Sequence, residues 1–229
     1  VIVALDFPAA GPALELVDQL SGLVRWYKVG LELYLAAGNE VVRALKDRGR
    51  SVFLDLKLHD IPNTVAGAVR SLAGVGADMV TLHAAGGPAM LAAAAEAAGT
   101  LLSPPKLLAV TVLTSMDEDQ LRAVGVTSSP VEQVLRLAAL ASSCGISGLV
   151  ASPEEVSALR SGFPKMTLVI PGIRPAGSAA GDQKRVASPA AAIAGGADYL
   201  VIGRPITQAA DPVAALRAIL SEIGDPSQG

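Results

Sequence analysis

Eight short apolar runs, each followed by a longer helix-like segment, constrain this chain more than any other feature of its sequence. They are Val1–Leu5, Arg25–Val29, Ser51–Leu56, Asp78–His83, Leu107–Leu113, Gly148–Ala151, Thr167–Ile170 and Tyr199–Ile202. Most are continuously apolar, as parallel strands covered on both faces are. Between them, Val131, Val134, Leu135 and Ala138 fall on one helical face, as do Val213, Leu216, Ile219 and Leu220. Ser129-Pro130-Val131-Glu132 and Ser152-Pro153-Glu154-Glu155 read as capping boxes with proline in the first turn, and Asp211-Pro212 as a third helix start. Eight such repeats in 229 residues predict an α/β fold, a closed (β/α)8 TIM barrel, as a single domain over 1–229. A doubly wound open sheet is the alternative. It would carry a glycine-rich turn after its first strand, where this chain has "DFPAAGPA".

Composition narrows the partners. With 51% hydrophobic residues the chain can bury a sizeable core. A net charge of −3 gives no polybasic footprint, which argues against nucleic acid. No apolar run reaches the roughly 18–20 residues that span a bilayer, so no membrane association is expected. The chain opens on "VIVALD" without a signal-peptide pattern, and the absent initiator Met leads us to expect a few native residues before Val1. Cys144 is the single cysteine. It lies in an apolar helical run and reads as a packed thiol, in keeping with a reducing, cytoplasmic location.

The charges gather at strand ends. In a barrel, strand C-termini face the active-site mouth. Asp6 follows the first run, Lys28 is near the end of the second, Asp55 and Lys57 close the third, and Asp60 follows. His83 ends the fourth, Thr114-Ser115 the fifth, Arg174 follows the seventh, and Gly203-Arg204 the eighth. One charge at a strand end is usually a solvated rim residue, and a lone His83 is usually a hydrogen-bonded core residue. Strand alternation turns His59 away from Asp60, which gives it a supporting role. The convergence of so many polar ends on one face is what points to a site. Asp55 and Lys57, two apart, share a strand face. Asp60 lies just before Pro62, where the chain turns into a helix. Asp55 and Asp60 are therefore expected to flank Lys57 and orient its ammonium. Two carboxylates about 4 Å apart repel by about 4 kcal/mol at an effective dielectric of about 20, so a cation belongs between them.

The other end of the mouth suits phosphate. "IPGIRPAGSAAGDQKRVASP" follows the seventh run and is long for a barrel loop, which predicts a lid. "VIGRPI" ends the eighth run, and barrels commonly seat phosphate after strands seven and eight. Gly203 allows close backbone approach, Arg204 offers a bidentate fork, and a short helix opening at Pro205 would add its dipole.

Asp-x-Lys-x-x-Asp-Ile-Pro-Asn-Thr, residues 55 to 64, closely resembles the signature of the orotidine 5'-phosphate decarboxylase family, and its bacterial branch fits best. "VTVLTS", "PGIRP", "GDQKR" and "VIGRPI" resemble further family segments in the same order, so the resemblance covers the whole chain. It implies decarboxylation of orotidine 5'-monophosphate to uridine 5'-monophosphate with no cofactor and no metal. It implies a homodimer with shared active sites. Lys57 would then donate a proton to the ring carbon that loses its carboxylate. Asp55 would face the departing carboxylate, and Lys28 would complete a Lys–Asp–Lys–Asp chain and touch the ribose. Asp60 and Thr64 would reach the neighbouring subunit's site, with Ile61 among the substrate contacts. Asp6 would bind the ribose hydroxyls and Thr114 the pyrimidine edge. Arg174, Gln183, Gly203 and Arg204 would bind phosphate.

Two rivals accompany this reading. Hexulose-phosphate synthase and ketogulonate-phosphate decarboxylase resemble the same signature but use magnesium and an additional acidic ligand. Glu32, the nearest spare acid, sits inside a helix start. A non-catalytic nucleotide-binding barrel is the second rival, since fold alone proves no activity.

Overall fold

Each apolar run becomes one strand of a parallel sheet that closes on itself. The computed structural model describes residues 1–175 and 185–224. Its strands are β1 (Ile2–Ala4), β2 (Trp26–Gly30), β3 (Ser51–Leu58), β4 (Met79–His83), β5 (Lys106–Val110), β6 (Gly148–Val150), β7 (Thr167–Ile170) and β8 (Tyr199–Ile202). They pair in sequence order, and β8 returns to β1 to close the barrel. The helices are α1 (Ala10–Gln19), α2 (Leu31–Asp47), α3 (Pro62–Ser71), α4 (Gly87–Gly99), α5 (Glu118–Ala123), α6 (Pro130–Ser143), α7 (Val156–Gly162), α8 (Pro189–Ala194), α9 (Arg204–Thr207) and α10 (Pro212–Glu222). The predicted (β/α)8 barrel is thus the observed fold. None of the described helices is long and apolar enough to cross a membrane.

The predicted helix starts hold. Ser129 forms a reciprocal capping box with Glu132, and Asp211 caps α10 through Ala214 N–H. Ser152 and Glu155 also cap each other, but their turn is a 3-10 segment, Pro153–Glu155, that leads into α7. Strands β7 and β8 keep their expected bounds, and the other strands shift at one end or both by a residue or more. The largest changes are at β3, which runs on to Leu58, and at β5, which leaves the sheet after Val110.

Strand alternation separates two layers of core. Ile2, Ala4, Phe53, Met79, Leu108, Val169 and Val201 fill the barrel, capped by Trp26 and Tyr199 in an edge contact at 5.4 Å. Val3, Leu5, Val52, Leu54, Val80 and Leu82 face outwards into the larger core beneath the helices. Gly148 has a packing reason: a Cβ there would lie 2.3 Å from Leu108 Cδ2, inside the filled barrel. Cys144 packs against the outer core at the end of α6, half-buried, in line with its expected role.

Candidate active site

The inward parity that places Ala4, Phe53 and Val201 inside the barrel also directs the next inward residue of each strand towards its mouth. Asp6 continues from Ala4, Lys28 from Trp26, Asp55 from Phe53, and Gly203 from Val201. All four line one cavity of about 280 Å³, together with Lys57, Thr114, Arg174 and Arg204. Phe53, Val110, Val112, Val150 and Val201 give the cavity an apolar floor.

Four charges form a chain along one wall. Lys28 Nζ lies 3.0 Å from Asp6 Oδ1 and 3.5 Å from Asp55 Oδ2, and Lys57 Nζ donates to the same Asp55 oxygen at 2.9 Å. Signs alternate, so each charge neighbours only opposite ones. Burial raises the cost of ionising Asp55. The ammonium groups of Lys28 and Lys57 outweigh it, helped by hydrogen bonds from Lys57 and Thr81, and hold the carboxyl below the usual carboxylate range. His83 is half-buried beside His59, with ring centroids 5.4 Å apart. Burial and the charges of His59 and Lys57 push its pKa down, against Asp55.

The expected placement of Lys57 between Asp55 and Asp60 requires correction. Asp60 is exposed, and its carboxylate accepts the N–H of Ile61 at 2.6 Å where the chain turns into α3. No ion pair joins it to Lys57 among the described residues. Within one chain the second neighbour of Asp55 is Lys28, and the network is Asp6–Lys28–Asp55–Lys57. Asp60, Ile61 and Thr64 all lie exposed at the start of α3, outside the cavity lining. Gln183 and the other residues of the expected lid from 176 to 184 lie outside the described residues.

Lys57 does not sit in an ordinary strand either. The β3–β4 register jumps from Leu54↔Val80 to Leu58↔Leu82, so Asp55, Leu56 and Lys57 bulge opposite the single residue Thr81. Lys57 takes φ 51°, the left-handed region, at about 1–2 kcal/mol for a residue with a Cβ. Strain of this kind persists where the surroundings over-determine it, and such places are often functional. Thr81 is the residue that the sequence reading passed over. Fully buried, it accepts Lys57 N–H at 2.8 Å and donates to Asp55 Oδ1 at 2.9 Å. The available signal was a hydroxyl at inward parity in the apolar run "DMVTLH".

At the opposite rim, Arg174 follows β7 and Arg204 opens α9, so two guanidinium groups border the cavity away from Asp55. Asp6 bridges the halves: a Cβ at Gly203 would lie 3.5 Å from Asp6 Oδ2. The cavity therefore offers two cations for an anion at one end, an apolar floor, and a lysine–aspartate pair at the other.

Comparison with known proteins identifies the family. Residues 1–219 match the family model described as "Orotidine 5'-phosphate decarboxylase / HUMPS family". The orotidine 5'-phosphate decarboxylase of Moorella thermoacetica is 55% identical over 230 residues, covering 97% of this chain and 91% of the relative. That of Pseudomonas paraeruginosa is 52% identical over 225 residues, covering 98% and 97%. The crystal structure of orotidine 5'-phosphate decarboxylase from Lactobacillus acidophilus superposes with a TM-score of 0.85 at 40% identity, covering 97% of this chain and 98% of that one. By its sequence, its barrel and the residues gathered at its mouth, the chain belongs to the orotidine 5'-phosphate decarboxylase / HUMPS family.

Proposed function

We propose that the protein decarboxylates orotidine 5'-monophosphate to uridine 5'-monophosphate, the last step of UMP synthesis, and draws on no cofactor. The observation that carries the mechanism is Asp55, shared between Lys28 and Lys57 above an apolar floor. The substrate phosphate binds Arg174 and Arg204, with Gln183 as a further expected ligand, and the ribose meets Asp6 and Lys28. Thr114 meets the pyrimidine edge. This places the carboxylated ring carbon beside Asp55 and Lys57. The carbon–carboxylate bond breaks, carbon dioxide leaves, and the bonding pair stays on the ring carbon. The Lys57 ammonium stabilises that charge and gives up one N–H proton to it, which forms the C–H bond of the product and leaves a neutral amine. The negative field of Asp55 disfavours the substrate carboxylate and is relieved when carbon dioxide departs. Phosphate binding, remote from the chemistry, holds the substrate against that repulsion.

A homodimer belongs to this reading, with Asp60, Ile61 and Thr64 contributed across the interface. Its support is an exposed apolar set: Ile61 at 67% exposure, and Leu31 and Leu35, one helical turn apart on α2, at 50% and 81%. A cytoplasmic location fits a biosynthetic enzyme with a single free thiol. The magnesium-dependent alternative needs another acid at the mouth. Glu32 is exposed in the first turn of α2 and is not part of the cavity lining. Following the loss of orotidine monophosphate absorbance, with and without EDTA, tests the proposal. Turnover unchanged by EDTA is expected. No turnover, or turnover abolished by EDTA, would overturn it.

A further inference from the structure

We propose that Thr81 is a positioning residue for decarboxylation: one buried hydroxyl fixes both the backbone of Lys57 and the carboxylate of Asp55. The inference rests on the proposed function and adds a residue to it.

The bulge at Asp55–Lys57 removes the regular ladder partner of the Lys57 N–H. That donor turns instead to Thr81 Oγ1 at 2.8 Å. A hydroxyl carries one proton, and here it points to Asp55 Oδ1 at 2.9 Å. Asp55 is thereby held from both sides, by Thr81 on Oδ1 and by Lys57 Nζ at 2.9 Å on Oδ2. The ring Lys57 N–H, Thr81 hydroxyl, Asp55 carboxylate, Lys57 ammonium closes on itself. It ties the left-handed backbone at Lys57 to the direction of its own side chain. Thr81 is fully buried, so water does not replace it freely. A β-branched residue with one strongly restricted side-chain torsion suits this task, because the hydroxyl is held in place before the charges arrive.

Thr81→Val keeps the shape and removes the hydroxyl, whereas Thr81→Ser keeps the hydroxyl. Steady-state turnover of orotidine monophosphate separates positioning from simple packing. Thr81→Val is expected to lower kcat about 10- to 100-fold with KM within about threefold, and Thr81→Ser to restore most of it. Thr81→Val removes a hydrogen-bond donor from Asp55, so a loss confined to kcat, with rescue by Thr81→Ser, is the signature of positioning. The other charged groups facing Asp55 are Lys28, Lys57 and, further off, His83, with Asp6 behind Lys28; the substitution leaves them in place. If Thr81→Val does not fold, Thr81→Ala is compared with Thr81→Ser, from which it differs only by the hydroxyl, and is judged by the same criteria. A kcat for Thr81→Val within threefold of the parent, or equal losses in Val and Ser, would overturn this role. A parent protein inert towards orotidine monophosphate would overturn the functional reading and this role with it. An active parent with an unimpaired Thr81→Val would overturn the role alone.

Discussion

Lys28 reaches its two aspartates through space that a side chain at Gly30 would occupy. A Cβ at Gly30 would lie 2.7 Å from Lys28 Nζ and 3.3 Å from Asp6 Oδ1. Gly30 has φ −92°, which alanine adopts without strain, so the conflict falls on the mobile end of the lysine and not on the backbone. Gly30→Ala should therefore lower kcat/KM about tenfold or more while leaving the melting temperature within a few degrees. A variant with normal kinetics would show that Lys28 need not hold this position. The charges that meet at the mouth were readable in the sequence because period-two alternation carries Ala4 to Asp6 and Phe53 to Asp55. The conformation of Lys57 was not. A lysine at φ 51° leaves no mark in periodicity, and three residues opposing one on the next strand is a property of the pair of strands. Thr81 was missed for the same reason: its two hydrogen bonds exist only because of that bulge. Asp60 was assigned to Lys57 from nearness in sequence, but the turn at Pro62 gives its carboxylate a local backbone partner.

Among the elements, the segment after β5, the β6–α7 turn and the approach to α8 are joined by one buried ion pair. Arg185 pairs with Glu155, and both are at least nine-tenths buried. The arginine also donates to the carbonyls of Val112 and Leu113 at 3.2 and 3.0 Å. Glu155 meanwhile accepts Ser152 N–H at 3.1 Å and Ser152 hydroxyl at 2.6 Å. Val112 and Leu113 line the cavity just before Thr114, so this pair shapes the wall on which the pyrimidine is expected to lie. Arg185→Met leaves Glu155 charged and buried, which should cost about 3–5 kcal/mol in denaturant unfolding. Adding Glu155→Gln should recover part of that loss, because it removes the stranded charge. A single variant as stable as the parent would contradict this account of the pair. The capping box Ser152–Glu155 was legible as a helix start, but Arg185 was read only as part of the "GDQKR" segment. A capping glutamate that also anchors a distant arginine depends on long-range closure, which local spacing does not encode.

For the whole molecule, buried titratable groups set the pH range of stability. Tyr27 is fully buried, and burial pushes its hydroxyl up to about 12 from 10.0. The unfolded chain ionises it first, so this contribution is intact below pH 10 and is lost as pH rises towards 12. His83 and Asp55 act at the other end. Their folded pKa values lie below the ordinary 6.5 and 3.8, so the unfolded chain takes up protons first as pH falls. Melting temperature should hold between about pH 7 and 9, fall on the acid side first through His83 and then through Asp55, and fall again above about pH 10. Tyr27→Phe should flatten the alkaline fall; an unchanged fall would assign it to other groups. In the proposed function the barrel, its apolar floor and its two arginines deliver one substrate carbon to one ammonium, and that is the point to test. Kinetics of Lys57→Ala, with UMP binding measured on the same preparation, address it most directly. We expect turnover of orotidine monophosphate to fall about 10³-fold or more while UMP affinity changes little, since the phosphate contacts remain. Decarboxylation within about tenfold of the parent would contradict the assignment of Lys57 as proton donor.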